Sequence, residues 1–152
     1  MQHGIDQSKI KEFIGLNESL HRLFQNYMTK RLNSTLSLPQ MFLLHILLQQ
    51  GPCTPSHIAQ LMGVTSGAIT SLADRLHKQN LITRERSESD RRVVMITLSD
   101  EGRQLYNKLE SESVEHLTAL FNKLPAEDVD NLINILYKIY DIISSLEKTN
   151  SV

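Results

Sequence analysis

Between Arg75 and Arg92 the chain carries six cations, Arg75, Lys78, Arg84, Arg86, Arg91 and Arg92, against three carboxylates, Glu85, Glu88 and Asp90, a local charge of +3 in a protein of net charge −1. Guanidinium and ammonium groups at this density are the chemistry of phosphate binding. Just before them stand short residues, Ser66, Gly67, Thr70 and Ser71, spaced to share the outer face of one helix with Arg75. Hydroxyls and a missing Cβ let such a helix sink into the major groove of B-DNA and reach base edges. An ordinary solvated helix face would carry similar residues, and the cationic run that follows is what favours double-stranded DNA as the partner. Distribution matters here more than total charge. From Gln104 to Val152 four basic residues face eight acidic ones, a local −4, so positive potential is confined to one segment.

Holding these groups in place takes a helix, a tight turn, a second helix and a hairpin. Ala59, Gly63 and Ile69 stand where two short helices crossing steeply need a small side chain, a residue tolerant of positive φ and a core anchor. Thr54 suits a helix cap and Pro55 a first helical position. After Met62-Gly63-Val64, Thr65 or Ser66 can cap the second helix, whose Ile69, Leu72, Ala73 and Leu76 repeat at helical spacing toward a core. Asn80 stands where that helix would end in the left-handed region. Leu81–Arg86 and the β-branched, alternating Val93–Leu98 read as paired strands, with Val94, Ile96 and Leu98 on one face. The polar segment from Ser87 to Arg92 joins them as a projecting loop with Arg91 and Arg92 at its tip.

On either side the chain is helical. Ile10, Phe13, Leu20, Leu23, Phe24, Tyr27 and Met28 follow helical spacing from about Ser8 to Leu32. Ser37 and Pro39 open a second helix, apolar on nearly every side and therefore central, which Gly51-Pro52 stops. Ser99 caps a further helix, with Asp100 and Glu101 in its first turn, that runs to about Lys123. Pro125 opens the last helix, with the stripe Val129, Leu132, Ile133, Leu136, Ile139, Tyr140, Ile143 and Leu146. The expected fold is mainly α, a winged helix-turn-helix between long terminal helices, with an N-terminal dimerisation helix over 1–36, the DNA-binding domain over 37–100 and C-terminal dimerisation helices over 101–152. The terminal stripes exceed what one small core can cover, which predicts a homodimer; packing of those helices only on each other is the alternative.

With 152 residues, 40% hydrophobic and 22% charged, the chain is long enough for a genuine core and has ordinary globular composition. No apolar run approaches a membrane span, and the first residues lack the cationic-then-apolar pattern of a secretory signal, so a cytoplasmic location is expected. The single cysteine, Cys53, excludes an intrachain disulfide and reads as a small apolar filler, since a reactive thiolate needs nearby cations. The six histidines form no pair at i, i+4 on one helix, so no metal is expected. Neither a glycine-rich phosphate loop nor a nucleophile elbow occurs, and neither an enzyme nor a cofactor is expected. A winged-helix protein-interaction module without DNA binding is the alternative, and Arg91 and Arg92 count against it.

The runs Ile58-Ala59-Gln60-Leu61-Met62-Gly63-Val64, Ile69-Thr70-Ser71-Leu72-Ala73-Asp74-Arg75-Leu76 and Asn80-Leu81-Ile82-Thr83-Arg84, and above all the stretch from Asp90-Arg91-Arg92 to Leu98-Ser99-Asp100-Glu101-Gly102, resemble the MarR family of bacterial transcription regulators. The resemblance implies a homodimer of subunits with about six helices and a two-stranded β-wing each, acting as a repressor released by a small phenolic or other lipophilic ligand or by oxidation. It further implies that Ser66, Gly67, Thr70, Ser71, Arg75, Arg84, Arg86, Asp90, Arg91 and Arg92 form the DNA-binding surface. Within it Asp90 would brace the wing by pairing with Arg75 or Arg84, and Arg92 would enter the minor groove. Phe24, Tyr27, Met28 and His45 are the expected ligand-binding residues, an apolar lining with a polar handle. Cys53 does not occupy the first-helix position of the family's peroxide-sensing branch.

Overall fold

A computed structural model describes residues 4–32 and 36–149. Among these residues run the helices α1 (Gln7–Leu32), α2 (Leu38–Gln50), α3 (Pro55–Met62) and α4 (Ser66–Lys78), the strands β1 (Ile82–Arg86) and β2 (Val94–Leu98), and the helices α5 (Asp100–Phe121) and α6 (Ala126–Thr149). The chain falls into two compact units, one ending at Ser113 and the other beginning at Val114. No helix among the described residues is long and apolar enough to cross a membrane.

Local chemistry sets most helix boundaries in the first unit. Asp6 opens α1, accepting from the Ser8 amide (3.0 Å) and hydroxyl (2.6 Å), bonds that hold its carboxyl below the usual range. Ser37 and Gln40 close a reciprocal capping box at α2: the Ser37 amide donates to Gln40 Oε1 at 2.8 Å and the Gln40 amide to Ser37 Oγ at 3.4 Å. This satisfies Gln40, a buried polar residue. Thr54 caps α3 by accepting from the His57 amide, and Thr65, rather than Ser66, caps α4 by accepting from the Ala68 amide. Between them Gly63 adopts φ 65° and ψ 32°, the left-handed conformation that lets α3 end and α4 leave at once.

The core of this unit is where α2, α3, α4 and the sheet converge. Leu43, Leu44 and Leu47 of α2, Ile58 of α3, Ile69 and Leu76 of α4, Ile82 of β1 and Ile96 of β2 are all closed to solvent. The central position expected of α2 is therefore observed, and truncating any one of these side chains to alanine would cost about 2–5 kcal/mol.

The strands pair antiparallel, with Ile82 opposite Leu98, Arg84 opposite Ile96 and Arg86 opposite Val94. Each begins one residue later than its β-branched run suggests. The Leu81 amide is already committed to the Leu76 carbonyl of α4, and the Val93 amide to the Asp90 carbonyl of the loop. Cys53, placed by its sequence only in a connection, also joins the sheet: its amide donates to Ile96 O at 3.0 Å and its carbonyl accepts from the Ile96 amide at 2.8 Å.

The end of β2 is tied tightly to α5. Ser99 Oγ donates to Asn80 O at 2.7 Å and accepts from the Gly102 amide at 2.9 Å. A Cβ on Gly102 would fall 2.0 Å from Leu81 O, so only glycine permits this approach.

In the second unit the end of α5 and the start of α6 line an open apolar cavity of about 560 Å³, with Leu117, Phe121, Val129, Leu132 and Ile133 among its walls. Farther along α6, Ile135, Ile139, Ile142, Ile143 and Leu146 are all exposed.

Candidate nucleic-acid interface

The outer face of α4 carries the short residues as the sequence predicts. Ser66, Gly67, Thr70, Ser71 and Arg75 are exposed, while Ile69, Ala73 and Leu76 of the same helix are buried. A Cβ on Gly67 would meet nothing nearer than Thr65 Oγ1 at 4.0 Å, so the fold itself leaves this position open. The Thr70 hydroxyl donates to Ser66 O at 3.0 Å. With its proton committed, Thr70 faces outward with oxygen lone pairs and a methyl group, which suit a base amino donor or the thymine methyl.

The wing turn follows from its own hydrogen bonds. Asp90 Oδ1 accepts from the Arg92 amide at 3.0 Å, and the Asp90 carbonyl accepts from the Val93 amide at 2.9 Å, so one residue holds the turn by both its oxygens. Arg86 Nη1 donates to Arg91 O at 3.1 Å from across the hairpin. Arg91 and Arg92 are exposed at the turn.

Arg84 is placed differently from what the sequence suggests. The expected pairing of Asp90 with Arg75 or Arg84 is not formed: Asp90 is occupied by the adjacent backbone, and Arg84 Nη1 lies 2.7 Å from Asp74 Oδ1 of α4. Arg84 Nη2 also donates to Thr70 O at 3.3 Å, and its Nε is buried without a hydrogen-bond partner among the described residues. Of the proposed cations, Arg75, Arg91 and Arg92 remain outward, whereas Arg84 spans from the sheet to α4. Asp74 went unrecognised as its partner, because ten residues separate the two and no helical or strand spacing links them.

The expected ligand-binding residues have different surroundings. His45 lines an open depression of about 370 Å³ with Met41, Phe42 and Tyr106, which Phe24, Tyr27 and Met28 do not line. Met28 is buried, Phe24 is exposed, and the Tyr27 ring lies 3.7 Å from the Arg31 guanidinium. His45 Nδ1 is 2.7 Å from the Tyr106 hydroxyl, which donates to Glu110 Oε1 at 3.3 Å. Burial, and then the charge of Glu110, push the Tyr106 phenol above its usual range. Tyr106 was not anticipated, lying sixty-one positions from its histidine partner. Burial likewise pushes the Cys53 thiol up, which favours the unreactive protonated form. Among the described residues, no group of three or more His, Cys, Asp or Glu could hold a metal ion.

The profile of the MarR family matches residues 36–94, the stretch from the start of α2 to the start of β2. The HTH-type transcriptional repressor MdtR of Bacillus subtilis (strain 168) is 40% identical over 88 residues, covering 55% of this chain and 57% of that protein, so the match spans little more than half of MdtR. The HTH-type transcriptional regulator MgrA of Staphylococcus aureus is 28% identical over 112 residues, 74% of this chain and 75% of MgrA. The crystal structure of the YusO protein from Bacillus subtilis superposes with a TM-score of 0.65 at 29% identity, covering 90% of this chain and 98% of that one.

Proposed function

We propose that the chain, which matches the MarR family profile over residues 36–94 and resembles MdtR, MgrA and YusO, is a cytoplasmic transcription repressor of that family that binds a pseudo-palindromic operator as a homodimer. The observation that carries this reading is the pairing, in one unit, of an α4 face made of exposed short residues with a wing turn exposing Arg91 and Arg92. Helix α4 of each subunit enters the major groove, where Thr70 and Ser71 meet base edges and Arg75 meets backbone. The wing reaches the flanking minor groove, where narrow A·T-rich sequence attracts Arg92. Arg86 and Asp90 hold the wing turn in shape.

A second copy covers the exposed apolar faces of α1 and α6, and the two-fold axis so created sets the separation of the two α4 helices. Occupation of a promoter by this dimer blocks transcription. A small lipophilic or phenolic effector releases the DNA by favouring a separation that does not fit the operator. The depression beside His45 and Tyr106, apolar with a hydroxyl and an imidazole at its edge, offers such a molecule both shape and hydrogen bonds.

Selection of bound duplexes from a random pool tests the whole reading. Recovery of inverted half-sites whose centres are about one helical turn apart, or a multiple of it, is the expected result. A pool that fails to converge, or converges on a single unrepeated site, contradicts it. Mobility-shift titration of the selected duplex with phenolic compounds then tests release.

A further inference from the structure

The hairpin leaves α4 through the three-residue turn Gln79, Asn80 and Leu81. A projecting hairpin held only at its base would pivot there. Base contacts exist: His77 Nδ1 lies 3.1 Å from Ile82 O, and Cys53 bonds Ile96 from the opposite edge of β2. Farther along β1, Arg84 makes an attachment of a different kind, bonding Asp74 Oδ1 at 2.7 Å and Thr70 O at 3.3 Å with the two ends of one guanidinium. The turn it grips, Thr70 to Asp74, contains Ser71 of the outer face. The strand beside Arg84 is itself fixed, since the register partner of Arg84, Ile96, is buried and has both backbone groups bonded to Cys53.

Such an ion pair adds little to stability, because its side chains are 28% and 51% exposed. What it does fix is an angle. We infer that Arg84 is a positioning residue: with Asp74 it holds the wing at a set inclination to α4, so that Arg92 and Thr70 reach their grooves together, and it makes no phosphate contact of its own. This rests on the DNA-binding function proposed above. It assigns Arg84 a role opposite to that of Arg92, although both are wing arginines within one cationic run. Both terminal nitrogens are engaged by protein acceptors and Nε is buried, so the guanidinium is directed at α4 rather than outward.

The test uses the full chain and two duplexes, the one recovered from the random pool and a scrambled duplex of equal length, titrated across a range of salt concentrations. Arg84→Met keeps the aliphatic stem and removes the charge; Asp74→Asn keeps the shape. Each is expected to weaken binding to the selected duplex about tenfold, to affect the scrambled duplex less, and to leave the slope of log K against log [salt] at its wild-type value. The exchanged pair Asp74→Arg with Arg84→Asp is expected to regain affinity over either single exchange. Thermal unfolding of each variant separates misfolding from misplacement, and the half-exposed Asp74→Asn serves where Arg84→Met does not fold. A slope lowered by about one in Arg84→Met would make Arg84 a phosphate contact and overturn the inference. So would unchanged affinity in both variants, or equal weakening on both duplexes. If the wild-type protein bound neither duplex, the proposed function would fall as well; wild-type binding alongside unaffected variants would remove only the role of Arg84.

Discussion

Helix α4 and helix α6 both carry apolar residues at helical spacing, yet one stripe is sealed and the other is open. Ile69 and Leu76 of α4 have 0% of their surface exposed, whereas Ile142 and Leu146 of α6 each expose 59%. The difference lies in what converges on each helix. Around α4 meet α2, α3 and both strands, while the open part of α6 meets no such enclosure. The same periodicity therefore marks a core in one place and an exposed face, here proposed as an interface, in the other. Burying half a dozen such side chains is worth on the order of 10 kcal/mol. That gain, set against the lost freedom of two associating copies, is what the proposed dimer draws on. Under the proposed function the reading head is an intramolecular structure and the scaffold an intermolecular one.

The largest predicted effect breaks the scaffold and spares the head. Ile143→Glu combined with Leu146→Glu should convert the proposed dimer to a monomer in sedimentation and weaken operator binding about 100-fold or more, because the second head no longer binds as part of the same molecule. A double variant that remains dimeric would remove α6 from the interface. Gly102→Ala makes the opposite lesion, in the head. Its new methyl must displace the Leu81 carbonyl, which should lower stability by about 1–3 kcal/mol or more, read as a fall in Tm, with association of the remaining folded protein unchanged. Within the head, Thr70→Ala should alter preference among operator variants, at about 1–3 kcal/mol for the base pair it reads; uniform weakening across variants would make it a backbone contact instead. Arg92→Ala should weaken all sequences alike and reduce the salt slope by about one. An unchanged slope would take Arg92 out of the groove.

The elements were legible in the sequence where their signals are local. Ser37, Thr54, Gly63 and Asn80 each act on backbone within a few residues, and each performs the capping or turning role its type suggests, Asn80 at φ 58° included. The outer face of α4 was readable for the same reason, being the complement of a strong apolar repeat. Contacts made through the fold were not readable. Asp74 with Arg84, Tyr106 with His45 and Cys53 with Ile96 depend on how elements are stacked, and nothing in their spacing selects these partners over others. Asp90 illustrates the limit: its importance to the wing could be anticipated, but its partner is the Arg92 amide two positions away rather than a distant guanidinium.

Gly67 sets thermal robustness against recognition. An alanine there would meet no obstruction within the molecule, and alanine strengthens a helix relative to glycine by up to about 1 kcal/mol. Yet the added methyl would stand on the surface proposed to descend into the groove. If that face reads DNA as proposed, repeated rounds of selection for heat resistance alone would be expected to discard this glycine and, in doing so, to blunt recognition.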